Sequence, residues 1–259
     1  MFGSIGWLPN TVKARLYQND ACFGTWINSS SPTIVDYLRH LKFDWFLIDT
    51  EHAPVNQETM VHLLQLIGDS QVVPIVRVGA NDQYMIKLAL DCGARGIIVP
   101  LINSKEEAER AVSFSKYPPN GVRGVGPVRA HRYGLDFGSY LRAANQDILV
   151  VGQIETNEAL QHVDEILQVE GLDVAFFGPS DMTMSLGLID DRTNPRVIEA
   201  MKLVVESCKK HGKIPGILTV TTQETKTAID LGFKFIGLSS DMRFVASGAK
   251  EFLKVVGRA

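Results

Sequence analysis

A single (β/α)8 TIM barrel spanning residues 1–259 is the fold this sequence predicts, and three observations carry the prediction. Short apolar runs recur along the chain, and each passes through a polar residue into a stretch of helical period. Parallel strands and their crossover helices leave that alternation in a sequence. Glycines stand where helices should stop, at Gly68, Gly93, Gly171, Gly212 and Gly232, while Pro32 and Pro195 stand where helices should start. Eight such units close into a barrel. The alternative, a doubly wound open sheet, lacks its glycine-rich dinucleotide fingerprint after the first strand.

In chain order, the strand Cys22–Ile27 opens the series and leads to a helix over Pro32–Leu41. Trp45–Asp49 is apolar up to its closing acid and is followed by the amphipathic stretch Gln57–Ile67. Val73–Val78 carries Arg77 near its end and precedes Gln83–Leu90; Gly96–Val99 precedes Lys105–Phe114. Leu149–Ile154 leads to Glu158–Leu167, and Asp173–Phe177 to Pro195–Lys210. Lys213–Ile217 leads to Gln223–Asp230, and Phe235–Ser239 to a closing helix from Met242. One connection is long, from Tyr117 to Asp147, and is rich in glycine and arginine. Two readings stand for it: an anion-binding loop or lid on the active face, in which His131 touches substrate, or a surface excursion with a small helix near Tyr140.

Composition narrows the function. With 45% hydrophobic and 21% charged residues the chain is ordinary globular material. A formal net charge of −3 offers no basic field to nucleic acid or to an acidic membrane. Three scattered cysteines, Cys22, Cys92 and Cys208, point away from a disulfide framework and towards a reducing, cytoplasmic setting. No signal peptide and no membrane span are read.

In a barrel the reactive groups belong at the C-terminal ends of strands. The second strand ends in Asp49-Thr50-Glu51-His52, the third near Arg77, the fifth in Gln153-Ile154-Glu155, and the sixth runs into Gly178-Pro179-Ser180-Asp181. Glu155 and Asp181 have the chemistry to anchor a hard divalent cation with positions left open, or else to cap helices. His52 is the general-base candidate, because imidazole titrates near neutrality; the bland reading hydrogen-bonds it to Asp49. Arg77 ends a buried strand, so it faces an anion or an internal ion pair with Asp49 or Glu51. No nucleophile elbow or P-loop occurs, and Lys213 opens its strand at the wrong end for a Schiff base. Electron withdrawal by a metal is the remaining route.

These residues resemble those of the HpcH/HpaI aldolase family. The matching stretches are Phe43-Asp44-Trp45, Asp49-Thr50-Glu51-His52-Ala53-Pro54, Pro74-Ile75-Val76-Arg77 and Val99-Pro100. They continue with Tyr117-Pro118-Pro119, Gly121 to Gly126, Gln153-Ile154-Glu155-Thr156, Phe177 to Asp181 and Lys213 to Leu218. The resemblance implies that Glu155 and Asp181 hold a divalent ion (Mg2+, Mn2+ or Co2+) that chelates a pyruvate unit. It implies that Gln153, Ser180 and Asp181 fix that unit, that Arg77 stabilises the enolate, and that His52 is the acid/base. Asp91 matches the aspartate that raises the basicity of the histidine, whereas local reasoning offers Asp49. The implied partners are a small 2-oxo acid, an aldehyde and further copies of the chain. The family is typically hexameric with the last helix exchanged, which would bury Trp7 or Phe252 between copies. Thr50, where glycine is common, and Gly126-Pro127-Val128-Arg129 depart from the pattern near the substrate mouth.

The activity so implied is reversible retro-aldol cleavage of 4-hydroxy-2-oxo acids to pyruvate and an aldehyde. The rival enzyme reading is an oxaloacetate decarboxylase, or a macrophomate-synthase-like enzyme, using the same enolate. The non-enzyme reading is a carboxylate-binding scaffold barrel, whose signature would be loss of His52, Arg77, Glu155 or Asp181, and all four are present.

Overall fold

The computed structural model describes residues 9–68, 70–189 and 191–258. Eight parallel strands close on themselves in sequence order: β1 (Cys22–Ile27), β2 (Trp45–Asp49), β3 (Val73–Arg77), β4 (Gly96–Val99), β5 (Leu149–Ile154), β6 (Val174–Phe177), β7 (Ile214–Thr219) and β8 (Phe235–Ser240). The expected barrel is therefore present, and each strand lies within two residues of its expected limits. The helices are α1 (Thr11–Tyr17), α2 (Pro32–Leu38), α3 (Gln57–Gly68), α4 (Gln83–Asp91), α5 (Lys105–Ser115), α6 (Phe137–Asp147), α7 (Asn157–Gln161), α8 (Val163–Leu167), α9 (Pro179–Ser185), α10 (Pro195–His211), α11 (Thr222–Leu231) and α12 (Asp241–Val255). A short 3-10 stretch covers Arg129–Gly134.

Alternation along each strand sorts the core into two bodies. Trp26, Trp45, Leu47, Ile75, Ile98, Val151 and Phe176 fill the barrel, while Ile48, Val76, Ile97, Val150 and Ala175 face the helices. Inside, Trp45 stacks on Phe235 with centroids 4.2 Å apart, and Trp26 meets Trp45 edge-on at 5.8 Å. Gly24 makes room for this: a Cβ there would lie 2.0 Å from the Trp45 ring. The unread helix α1 contributes Val12 and Leu16 to the same interior body. It is pinned there by Lys13 Nζ, which donates to Asp173 Oδ2 at 2.9 Å.

Three local readings change. The stretch read as one helix over Glu158–Leu167 is two, α7 and α8, meeting at His162. Ser180 and Asp181 are not caps before a later helix but lie inside the first turn of α9, whose N-cap is Gly178. The long connection is not on the active face. It runs from the end of α5 to the start of β5, which places it at the N-terminal end of the barrel, and α6 is the small helix around Tyr140. His131 is buried there, with Gly134 N–H donating to its Nδ1 at 3.0 Å, and does not reach the mouth. Arg129 donates to the carbonyls of Leu64 and Cys92, at the C-terminal ends of α3 and α4. It therefore caps two helix dipoles instead of awaiting an anion.

Candidate active site

The C-terminal ends of β2 and β3 are in direct register, Asp49 opposite Arg77. Arg77 donates through Nε to Asp49 Oδ1 at 3.0 Å and through Nη2 to Asp49 Oδ2 at 2.7 Å. Its Nη1 pairs with Glu51 Oε2 at 3.0 Å. The internal ion pairs considered from sequence are thus real, and they hold the fork in one orientation. Burial pushes Asp49 up, but the guanidinium outweighs it and leaves the carboxyl below its ordinary range. Arg77 is raised, because the same carboxylates overcome its desolvation. Three of its five N–H groups thus face the carboxylates of Asp49 and Glu51.

The Asp49 carboxylate also shapes the turn after β2. Oδ1 accepts the backbone N–H of Glu51 at 3.0 Å and of His52 at 3.3 Å. Asp49 therefore positions the His52 backbone, not its ring. The imidazole is 66% exposed and has Glu51 as its neighbouring acid, at 3.8 Å from Nε2. Thr50 closes the turn from the other side, its hydroxyl donating to the Arg77 carbonyl at 2.6 Å.

Across the mouth, Glu155 directly follows β5 and is 3% exposed. Its Oε1 accepts the N–H of Leu101 at 2.8 Å, and its Oε2 accepts Gln153 Nε2. Leu101 holds that N–H in place with a φ of 53°, a left-handed conformation a leucine rarely adopts. Desolvation pushes Glu155 up to about 7, and the nearby charges of Asp181 and Glu51 add to the shift. Gly178 is the cradle for this carboxylate, since a Cβ there would lie 2.7 Å from Glu155 Cβ and 2.8 Å from Oε2. Asp181 and Ser180 are exposed in the first turn of α9. Gln153 is 3% exposed, and its Oε1 has no hydrogen-bond partner.

His52, Arg77, Asp49, Gln153, Glu155, Ser180 and Asp181 are thus brought to one end of the barrel. Asp91 is not. It ends α4 at the opposite end, where it accepts from Arg123 Nη2 at 2.7 Å. Within one chain Asp91 does not meet His52. Sequence reasoning did not name Glu51, Leu101 or Asn28 as site residues. Glu51 and Asn28 obey the strand-end rule already applied to Asp49; no sequence signal marks the Leu101 backbone. A cavity of about 490 Å3 lined by Pro74, Arg95, Arg129 and Tyr133 lies at the far end and includes none of these groups.

Among the described residues no three His, Cys, Asp or Glu side chains form a complete metal-ligand set. Two carboxylates and an amide do converge, in a place where the charges of Glu51, Glu155 and Asp181 repel one another. A hard cation that takes its other oxygens from substrate and water fits that donor set. It would also relieve the orphaned Gln153 carbonyl and the electrostatic strain on Glu155.

A barrel with acids, an imidazole and an oriented guanidinium at its C-terminal rim has its polar side chains where barrel enzymes carry out their chemistry. The family model for HpcH/HpaI aldolase/citrate lyase matches residues 22–247. The chain belongs to that family. It is 37% identical over 245 residues to the 4-hydroxy-2-oxo-heptane-1,7-dioate aldolase of Escherichia coli (strain ATCC 8739), covering 94% of this chain and 93% of that one. It is 38% identical to the 2-dehydro-3,6-dideoxy-6-sulfogluconate aldolase of Pseudomonas putida, covering 92% and 93%. The crystal structure of an HpcH/HpaI aldolase/citrate lyase family protein from Burkholderia cenocepacia superposes with a TM-score of 0.92 at 32% identity, covering 95% and 99%.

Proposed function

We propose that this protein is a divalent-metal-dependent aldolase that cleaves 4-hydroxy-2-oxo acids to pyruvate and an aldehyde, and runs the reverse condensation. Its class, a carbon–carbon lyase of the aldolase kind, follows from family membership and from the aldolases it resembles over most of its length. The observation that carries the finer reading is the pairing across one mouth. The Glu155 carboxylate, raised by burial and by the nearby charge of Asp181, lies on one side, and the Arg77 fork, held by Asp49 and Glu51, lies on the other.

Glu155 and Asp181 would hold the cation, with Gln153 Oε1 beside them. The cation, when bound, supplies electrophilic pull on the carboxylate and keto oxygens of the 2-oxo acid. The chain's own groups do the rest. Arg77 faces the keto oxygen, where charge accumulates as the bond between C3 and C4 breaks. Stabilising charge that the ground state lacks is what lowers the barrier. His52, exposed at the turn, takes the proton from the 4-hydroxyl and delivers one to C3 of the enolate to give pyruvate; in the condensation it takes a proton from pyruvate C3 and gives one to the new alkoxide. Ser180 and Asp181, in the first turn of α9, line the place of the pyruvate carboxylate.

The free state of all three cysteines supports a reducing, cytoplasmic setting. Among the described residues no helix is long and apolar enough to cross a membrane. Assembly of several copies through α12 is part of the proposal. That helix leaves Phe252 81% and Val255 86% exposed, and Val256, which follows it, is 65% exposed, a cluster of apolar surface suited to an interface. Trp7, the other residue expected between copies, lies outside the described residues.

The test is release of pyruvate from a 4-hydroxy-2-oxo acid, after chelation and after adding back each of Mg2+, Mn2+ and Co2+. Turnover should vanish on chelation and return with metal in the native chain, and fail to return in Glu155→Ala or Asp181→Ala. Borohydride with pyruvate should leave no adduct. Undiminished turnover in either variant, or a lysine adduct, overturns the proposal.

A further inference from the structure

The end of β1 contributes a group that none of the site chemistry above uses. Asn28 follows β1 directly, and its Nδ2 donates to Asp49 Oδ2 at 3.0 Å. This is the same oxygen that accepts Arg77 Nη2 at 2.7 Å. The Asp49 carboxylate, 1% exposed, thus accepts five hydrogen bonds in all. Two hold Arg77, two hold the turn before His52, and the fifth comes from Asn28. Arg77 reaches Asp49 from β3, on one side of β2. The Asn28 amide holds Oδ2 from the end of β1, the neighbouring strand on the other side of β2.

Asn28 is itself held. Asp241, also 1% exposed, opens α12 and accepts the backbone N–H of Asn28 at 2.9 Å, of Ser29 at 3.0 Å and of Met242 at 2.8 Å. A buried carboxylate satisfied by three backbone donors sets the loop after β1 rigidly against the start of the last helix. The backbone at Asn28 cannot move without stripping a buried charge of its partners.

We propose that Asn28 is a positioning residue for Arg77, acting through Asp49, and that Asp241 at the root of α12 sets where Asn28 stands. The inference rests on the reading of Arg77 as the group that faces the enolate. It extends that reading to a relay, Asp241 to Asn28 to Asp49 to Arg77, that ties the placement of the last helix to the orientation of the catalytic fork. A hydrogen bond to a charged group, lost from such a relay, should tell in the transition state more than in substrate binding.

The experiment is steady-state retro-aldol turnover of the metal-loaded enzyme, with thermal melting on the same samples. Asn28→Ala should lower kcat on the order of ten-fold while KM changes little, with the melting temperature nearly unmoved. Asn28→Asp, which sets a second carboxylate against Asp49, should lose more. Asp241→Asn, which keeps one acceptor oxygen, should lose less than Asp241→Ala. The deciding measurement is the cycle of Asn28→Ala with Arg77→Lys. If Asn28 acts through Arg77, its ten-fold effect disappears in the Arg77→Lys background. A full, additive effect in that background, or an Asn28→Ala enzyme with native kcat, overturns the relay. Arg77→Lys alone tests the underlying reading separately: native turnover there removes Arg77 from the mechanism whatever Asn28 does.

Discussion

Arg77 is a charge already shared between two carboxylates, Asp49 and Glu51, and that is why its shape matters more than its sign. A lysine would keep the cation but present one nitrogen where three now face acids. Arg77→Lys should therefore lower kcat on the order of 100-fold, the loss typical of one transition-state donor, with a smaller change in KM. Glu155 gives a second expectation at this scale, one of pH. Its folded value is pushed up to about 7 from 4.5, because burial and neighbouring acids disfavour its charge. Between those values the unfolded chain has lost the proton that the folded chain keeps, so stability falls as pH rises through that window. In the metal-free protein the melting temperature should drop between about pH 5 and pH 8, and Glu155→Gln should flatten that slope. Added divalent cation should oppose the drop, since it replaces the proton. A metal-free melting curve that is level across the window, or one still sloping in Glu155→Gln, counts against the assignment.

At the scale of elements the turn from β6 into α9 decides whether the site can exist. Gly178 leaves space that the Glu155 side chain fills, and an added Cβ would meet it at 2.7 Å. Gly178→Ala should cost about 1–3 kcal/mol as an overpacked core position does, and it should abolish metal-dependent turnover even where the protein remains folded. Circular dichroism with a turnover assay separates the two effects. The α4 end offers a contrasting case. Arg123 has a fully buried side chain stacked 4.5 Å over Tyr117, with Asp91 as its carboxylate partner. Asp91→Ala leaves that charge alone and should destabilise by about 3–5 kcal/mol, read as a lower melting temperature. A shift of the pH–rate profile in addition would mark the pairing with His52 across copies.

These two places also show what could be read from sequence. Strand ends were legible because buried strands are apolar throughout and their closing polar residues stand out: Asp49, Arg77 and Glu155 all sit where that contrast put them. The face of the long connection was not legible from composition. Its glycines and arginines resemble a ligand loop, yet Arg129 caps helix ends and Arg123 fills a core. Only the order of elements, helix before connection before strand, assigns it to the N-terminal end. The α9 turn was missed because seven residues carry too little periodicity to announce a helix.

For the molecule as a whole, the last helix is where the barrel is unfinished. The other helices lay their apolar stripes on the strands, but α12 buries only Asp241 among its residues and shows solvent Met242, Val245, Phe252, Leu253 and Val255. Burying one such large side chain is worth about 1.5–3 kcal/mol, so a helix that exposes several gains strongly from a second copy. The chain should therefore sediment as an oligomer, and Phe252→Glu with Val255→Glu should dissociate it, because two charges would have to enter the same apolar contact. Analytical ultracentrifugation reads this directly. Because α12 is rooted at Asp241, and Asp241 fixes the loop that carries Asn28, dissociation should also reach the mouth. The expected result is a dissociated chain that keeps its far-ultraviolet spectrum but loses turnover, with activity rising again at protein concentrations that restore assembly. A monomer as active as the assembled protein would show that the last helix serves association alone.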